Sequence, residues 1–236
     1  MRAPLYVIMV LAGCGQAGVG PLDDAPHADG GTAPDDLLCP RYSGLTSPGL
    51  RRVYTSDDGS TRETFVVARF ERSGDLTTVE VDYEAVVNDR GTVTTREGVY
   101  TFDCGPEGAR EVGTRYEERR GDDESAMVTG RWSPPRLEVP WDLAVGTTWT
   151  STSRHDGRRV LPSGLAFVSG HQPGTYVFEA ADDAPYAVPA DTFDDVVHVE
   201  GRFEGRDSSG DPFRRVYAKD VGLIEGYGRR LVEWTR

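Results

Sequence analysis

Val79, Val81, Tyr83, Ala85 and Val87 alternate with Glu80, Asp82 and Glu84. Only an extended strand puts every second side chain on one face, so this segment is a strand with one buried and one wet face. The cluster Asn88-Asp89-Arg90-Gly91 follows, then a second extended run from Thr92 to Asp103. The two runs pair as a hairpin. Upstream, Thr64 to Arg72 carries Phe65, Val66, Val67 and Phe70 and stops at Ser73-Gly74-Asp75. Later strands are expected at 110–119, 126–132, 147–154, 164–169, 175–181, 195–205, 212–219 and 229–235. Turn signals punctuate them at Gly121-Asp122, Ser133-Pro134-Pro135, Asp156-Gly157, Gly170 to Gly174 and Ser208-Ser209-Gly210-Asp211. No stretch of about 12 residues shows a helical stripe, and no repeat of fixed period is present. The chain is therefore expected to be all-β with little helix, and its strand spacing fits a barrel or a sandwich.

The 236 residues accommodate one all-β domain or two small ones. Hydrophobic residues make up 37%, enough to build a core. The net charge is −13. Nucleic acid is thereby excluded as a partner, because its recognition needs a basic surface that displaces phosphate counterions. A single lysine, Lys219, stands among 26 Lys and Arg residues. That bias fits a GC-rich genome, so the arginine count alone does not mark a site.

The chain opens Met1-Arg2-Ala3-Pro4, runs through the apolar Leu5 to Leu11, and reaches Ala12-Gly13-Cys14. This order is that of a secretory signal. Leu11-Ala12-Gly13-Cys14 resembles the bacterial lipobox. The resemblance implies a cut between Gly13 and Cys14, a signal peptide of residues 1–13, and a diacylglycerol on the Cys14 thiol. Added acyl chains would anchor the protein stably to a membrane. Gly at position 15, rather than Asp, resembles the sorting pattern for the outer membrane, with the protein on its periplasmic or surface face. Residues 14–36 are rich in Gly, Ala, Pro and Asp, with no basic residue. Such a segment cannot bury enough apolar surface to offset its ordering entropy and reads as a disordered acidic tether, His27 included. Residues 37–236 read as a single β domain that retains a net charge of −9.

With Cys14 lipidated, Cys39 and Cys104 remain, an even pair in an oxidising compartment. A disulfide between them is expected, with two buried free thiols as the rival. The bond would contribute on the order of 3–4 kcal/mol by loop closure. No histidine is spaced with them for zinc.

Three motifs in the C-terminal half resemble a family of exported bacterial proteins labelled TapB-like. Pro140-Trp141-Asp142-Leu143-Ala144-Val145-Gly146-Thr147-Thr148-Trp149 is similar to its P-L-x-x-G-x-x-W. Val188-Pro189-Ala190-Asp191-Thr192-Phe193 is similar to V-P-A-G-T-F, with Asp191 in place of Gly. Tyr217-Ala218-Lys219-Asp220-Val221-Gly222-Leu223-Ile224-Glu225 is similar to Y-A-P-G-V-G-L-V-K, with Lys219-Asp220 in place of Pro-Gly. The resemblance covers roughly residues 134–236. It implies an antiparallel open β barrel or half barrel around a concave apolar face, similar to the LolA-like carriers, and it implies no catalytic residues. Physically, Pro189 ends one strand, Phe193 docks under the next, and Gly222 permits a bend. Aspartate tolerates left-handed backbone better than most residues, so the substituted turns can survive.

Catalytic motifs are missing: no G-x-S-x-G, H-E-x-x-H, P-loop or C-x-x-C occurs. His27, His155, His171 and His198 are scattered, and His198 reads as a solvated strand position. Asp122-Asp123-Glu124 and Asp182-Asp183 lack the spacing of a calcium loop. No metal or cofactor is expected. Phe65, Phe70, Tyr83, Phe102, Trp132, Trp149, Phe178 and Phe203 fall on strands, as does Tyr116, and form either a packed core or an apolar concavity for a hydrophobic ligand. The expected function is a non-enzymatic, lipid-anchored envelope protein that binds or carries such a ligand. The alternative is a structural lipoprotein with a filled core that docks an envelope protein. An envelope hydrolase is the weakest of the three readings.

Overall fold

Fifteen strands and no helix make up the described residues of the computed structural model, which are 39–121, 125–170, 173–204 and 212–236. The lipobox, the acidic segment 14–36, His27, the Asp122-Asp123-Glu124 run, His171 and the Ser208 to Asp211 turn lie outside them. In chain order the strands are β1 (Arg51–Ser56), β2 (Thr61–Ser73), β3 (Leu76–Asp89), β4 (Thr92–Gly105), β5 (Gly108–Arg120), β6 (Ser125–Pro140), β7 (Thr148–Val160) and β8 (Ala166–Gly170). They continue with β9 (Gly174–Asp182), β10 (Tyr186–Val188), β11 (Asp191–Phe193), β12 (Val196–Glu204), β13 (Phe213–Ala218), β14 (Gly222–Gly226) and β15 (Arg229–Thr235).

Thirteen strands form one antiparallel sheet, ordered β6-β5-β4-β3-β2-β1-β15-β14-β13-β12-β9-β7-β8. A further β6–β7 pairing brings twelve of them into a barrel and leaves β8 as a spur on β7. The antiparallel β barrel expected from the sequence is thus the observed fold. Its last ladder is partial. Met127 to Ser133 pair with Val160 to Arg154, but 134–140 have no partner on β7. Pro134 and Pro135 have no N–H to donate, so the ladder ends where they begin. Below that point the two strands are linked by the Leu137 N–H, which donates to Ser151 Oγ at 2.9 Å. The barrel is therefore seamed on one side. Ser133-Pro134-Pro135 and Asp156-Gly157, expected as turns, lie inside β6 and β7.

The period-two segment behaves as its pattern requires. Val79, Val81, Tyr83 and Ala85 are buried, while Asp82 and Glu84 are exposed. The hairpin register places Val81 opposite Tyr100 and Tyr83 opposite Gly98. A Cβ at Gly98 would lie 2.1 Å from the Arg115 carbonyl oxygen. Its missing side chain lets Tyr83 and Tyr116, on the strands to either side, bring their rings to 6.0 Å.

One end of the barrel is filled. Cys39, Leu45 and Leu50 pack among Val67, Val79, Cys104, Val139, Trp149, Phe178, Val199 and Tyr217, which come from inward positions of eight different strands. Cys39 and Cys104 are joined by a disulfide, with Cα atoms 5.1 Å apart. The segment also bonds to β2 through its backbone: the Gly49 N–H donates to the Val67 carbonyl at 2.8 Å, and the Leu50 carbonyl accepts from the Val67 N–H at 3.0 Å. One ion pair and one hydrogen bond hold the same segment to the rim. Arg41 pairs with Asp220 at 2.7 Å, and the Tyr42 hydroxyl donates to Asp195 at 2.6 Å.

Outside the barrel, the β10–β11 hairpin covers a second apolar cluster: Val196, Val216, Ala218, Ile224 and Leu231. His198, expected at a solvated position, is buried because this hairpin lies over its face. Its ring stands edge-on to Tyr186, and its Nε2 is 2.9 Å from the Ala184 carbonyl. Phe193 packs on the cluster that contains Val196 of the following strand, and its ring also meets Trp234 of β15 at 6.1 Å. Asp220 takes φ +62 in the β13–β14 turn, and Gly222 takes φ +91. Aspartate thus takes the left-handed backbone that the substituted Lys219-Asp220 turn was expected to tolerate.

Candidate functional site

Inward positions of β1 to β6 and β13 to β15 enclose a cavity of about 370 Å³ beside the filled end. Its apolar wall is Leu45, Tyr54, Phe65, Val81, Tyr100, Phe102, Val139 and Leu223. The rings form a continuous array: Tyr54 to Phe65 at 5.7 Å, Phe65 to Tyr100 at 5.7 Å, and Tyr100 to Phe102 at 6.4 Å. Such an array follows from strand geometry. Tyr100 and Phe102 are two apart on β4, and Phe65 lies opposite Tyr83 in the β2–β3 register.

Charged side chains share this interior. Arg136 donates to Glu111 at 2.6 Å and pairs with Glu138 as well. Glu138 in turn accepts from Arg215 at 2.8 Å, and Arg215 donates to the Tyr217 hydroxyl at 3.3 Å. Glu111, Arg136 and Arg215 are among the buried polar residues. A separate pair joins Arg229 to Glu63, and Glu63 also accepts from the Tyr83 hydroxyl at 3.0 Å. Burial pushes the Glu111 carboxyl above its usual range, and the nearby Glu138 charge adds to this against the pull of Arg136. Glu138 moves the other way. Burial would raise it, but Arg136 and Arg215 together hold it below the ordinary value. Arg136 also lies 4.1 Å above the Trp132 ring, a cation–π contact that fixes the guanidinium plane.

Arg52 stands apart from these pairs. It lines the cavity, is 7% exposed, and donates a long 3.4 Å bond from Nη1 to the Val221 carbonyl. Tyr227 sits in the left-handed turn between β14 and β15 at φ +58, with the Arg215 guanidinium 4.4 Å from its ring centre. The residue as a whole is exposed, but its hydroxyl end lines the cavity, and desolvation there raises its pKa, with the Glu138 charge contributing.

Of the eight aromatic residues expected to bind a ligand, Phe65 and Phe102 line the cavity. Tyr83 backs it, 5.1 Å behind Phe65. Trp132 lies beneath Arg136. Trp149 and Phe178 belong to the filled end, stacked at 4.8 Å, and Phe70 packs on that same cluster. Phe203 packs on Tyr176 at 5.0 Å. Sequence reasoning passed over Arg52, Tyr54, Tyr100, Glu111, Arg136, Glu138, Tyr227 and Arg229. A usable signal was present for several of them. Arg215 shares strand parity with Phe213 and Tyr217, and Arg52 with Tyr54, so each charged group is assigned to an inward face by alternation. No group of three or more His, Cys, Asp or Glu is placed to hold a metal among the described residues.

No family model matches the chain. No curated protein matches it either. Among solved structures, it is similar to a candidate lipoprotein from Parabacteroides distasonis ATCC 8503, solved at 2.70 Å resolution. The identity is 12% and the TM-score 0.41, over 84% of this chain and 98% of that one.

Proposed function

We propose that the protein is a lipid-anchored envelope protein whose barrel interior binds a ligand with an apolar body. The observation that carries this reading is the 370 Å³ cavity walled by Tyr54, Phe65, Tyr100 and Phe102. That volume lies within the range of about 300–1,000 Å³ in which small-molecule pockets fall. An apolar body there exchanges water for aromatic and aliphatic contact. The barrel exterior supports attachment by an anchor over spanning by the barrel. Glu80, Asp82 and Glu84 face outward on β3, and Arg69 pairs with Glu80 at 3.2 Å, where a membrane-spanning barrel presents an apolar band. The lipobox-like Leu11 to Cys14 supplies the anchor, the outer membrane is its destination, and the acidic segment 14–36 sets its reach.

The reading is non-enzymatic. Two interior carboxylates with pKa values pushed apart are the pattern of an acid–base pair. Here Arg136 stands between Glu111 and Glu138 and pairs with both, in the space where a substrate bond would have to lie. The alternative is an interaction lipoprotein that uses its outer surface. It is favoured by the filled end of the barrel and by the exposed Phe167 and Val168 of the β8 spur.

Native mass spectrometry with lipid extraction, on Cys14→Ser protein exported to a periplasm, tests the first reading. A stoichiometric co-purified amphiphile is the expected result. A clean apo mass with no uptake of an apolar fluorescent probe moves the assignment to the interaction reading. The same variant tests the anchor, because loss of the thiol should shift the protein from the membrane to the soluble fraction.

A further inference from the structure

Arg52 is the excess cation of the barrel interior. Four guanidiniums, from Arg52, Arg136, Arg215 and Arg229, meet three carboxylates, from Glu63, Glu111 and Glu138. Each carboxylate is committed: Glu63 to Arg229, Glu111 to Arg136, and Glu138 to both Arg136 and Arg215. Among the described residues no carboxylate pairs with Arg52. The residue is more than nine-tenths buried, and its buried Nε makes no hydrogen bond.

The position is built rather than incidental. Arg52 Nη1 sits in a notch of bare backbone: a Cβ on Gly44 would lie 2.2 Å from it and a Cβ on Gly222 2.9 Å from it. The Val221 carbonyl takes one donor and leaves the others of a five-donor fork. A guanidinium held out of water without a counter-ion is costly, and its planar fork matches a carboxylate or a phosphate. In a chain of net charge −13, this interior surplus of positive charge runs against the overall sign.

We propose that the cavity takes a single-chain amphiphile whose anionic head, a carboxylate or a phosphate, pairs with Arg52, and whose apolar body lies along Phe65, Val81, Tyr100, Phe102 and Leu223. This rests on the ligand-binding reading above and names the ligand class. The cavity volume, near the lower end of small-molecule pockets, suits one acyl chain.

Displacement of the apolar probe N-phenylnaphthylamine from the full chain carrying Cys14→Ser tests it. The competitors are dodecanoate, dodecyl phosphate and dodecanol, each below its micellar concentration. Dodecanoate or dodecyl phosphate should bind about tenfold or more tighter than dodecanol, as a charge-assisted hydrogen-bonded pair requires. The stronger of the two identifies the head. Arg52→Gln should remove that preference by weakening the two anions about tenfold more than dodecanol, and Arg52→Lys should retain part of it. Equal affinity of the three competitors for the parent protein overturns the proposal without any variant. So does an equal loss for all three in Arg52→Gln, and in either case the ligand-binding reading stands. If the probe and dodecanol do not bind at all, both that reading and this one fall.

Discussion

Arg215 of β13 and Glu138 of β6 meet at 2.8 Å across the barrel interior, from strands that share no ladder. Arg215 is 1% exposed and the Glu138 side chain 14%, so the pair is largely withdrawn from water. Removing one partner of such a pair leaves a buried charge uncompensated, which typically costs about 3–5 kcal/mol. Glu138 keeps Arg136 when Arg215 is lost, so Arg215→Met is expected near the low end, at about 3 kcal/mol in urea unfolding. The double variant Arg215→Met/Glu138→Gln should recover part of that loss. Equal stability of the single and double variants would show that the pair itself contributes little.

Glu111 has a raised pKa in the folded state, against an ordinary value of 4.5. As pH rises through 4.5 the unfolded chain gives up this proton before the folded one does. The unfolded state then binds fewer protons, and the Glu111 contribution to stability falls with rising pH. Glu111→Gln removes that decline. Its stability relative to the parent should improve steadily above pH 4.5, as read from urea midpoints across a pH series. A difference that stays flat with pH would mean that Arg136 holds Glu111 ionised in both states.

Much of the fold was legible because alternation reports one face of a strand directly. The β3 pattern, the β3–β4 hairpin and the pairing of Cys39 with Cys104 all follow from local residues and simple counting. Turn signals were less faithful. Pro134 and Pro135 read as a break, but they fall where β6 has a register partner on neither β5 nor β7, so no ladder needs their N–H groups and β6 runs through them. His198 was misplaced for a different reason. The face it occupies is outward from the barrel, yet a hairpin ten residues upstream folds over it, and alternation along one strand carries no word of that. The site was half legible for the same cause. The aromatic residues were expected in either a packed core or a cavity wall, and the structure divides them: Phe65 and Phe102 line the cavity, whereas Trp149 and Phe178 fill the end that residues 39–50 close. The charged residues that give the cavity its character were not singled out, because in a chain this rich in arginine and acidic residues their number alone marks no site.

The disulfide closes a loop of 65 residues in sequence separation. Chain-entropy reasoning assigns about 4 kcal/mol to a loop of this size. Reduction should therefore lower the melting temperature by roughly 10 °C for a domain of this length. Arg41–Asp220 and Tyr42–Asp195 still tie the same segment to the barrel, so the reduced protein should remain folded at room temperature. Parallel melts with and without reductant decide it. A shift of under about 2 °C would indicate that those contacts already restrain the segment.

Gly222 permits the N-terminal segment to cross the β13–β14 turn at close range. Its φ is +91, and an added Cβ would stand 2.7 Å from the Gly44 Cα. Gly222→Ala combines the left-handed penalty of about 1–2 kcal/mol with a backbone clash that neither chain can relieve by a rotamer change. A loss of more than about 2 kcal/mol is expected in thermal or urea unfolding. Gly59→Ala is the control: it shares the positive φ, at +69, but meets nothing within 4 Å, so only the first penalty applies. Similar losses for the two variants would remove the close-approach argument.

Phe178 and Phe102 separate scaffold from site. Phe178 is 1% exposed, stacked on Trp149 at 4.8 Å and edge-on to Phe213 at 5.9 Å, and it does not line the cavity. Phe178→Ala should cost about 3–5 kcal/mol of stability. Probe affinity per folded molecule should be unchanged. Phe102 is half-buried and lines the cavity, where its ring continues the array from Tyr100. Phe102→Ala should cost less stability, under about 3 kcal/mol, but weaken N-phenylnaphthylamine binding about fivefold through the lost aromatic contact. Unfolding curves and probe titrations on the two variants give four numbers, and the reading requires them to cross. If Phe178→Ala weakens the probe as much as Phe102→Ala does, the probe is entering the core end rather than the cavity, and the ligand site has to be moved there.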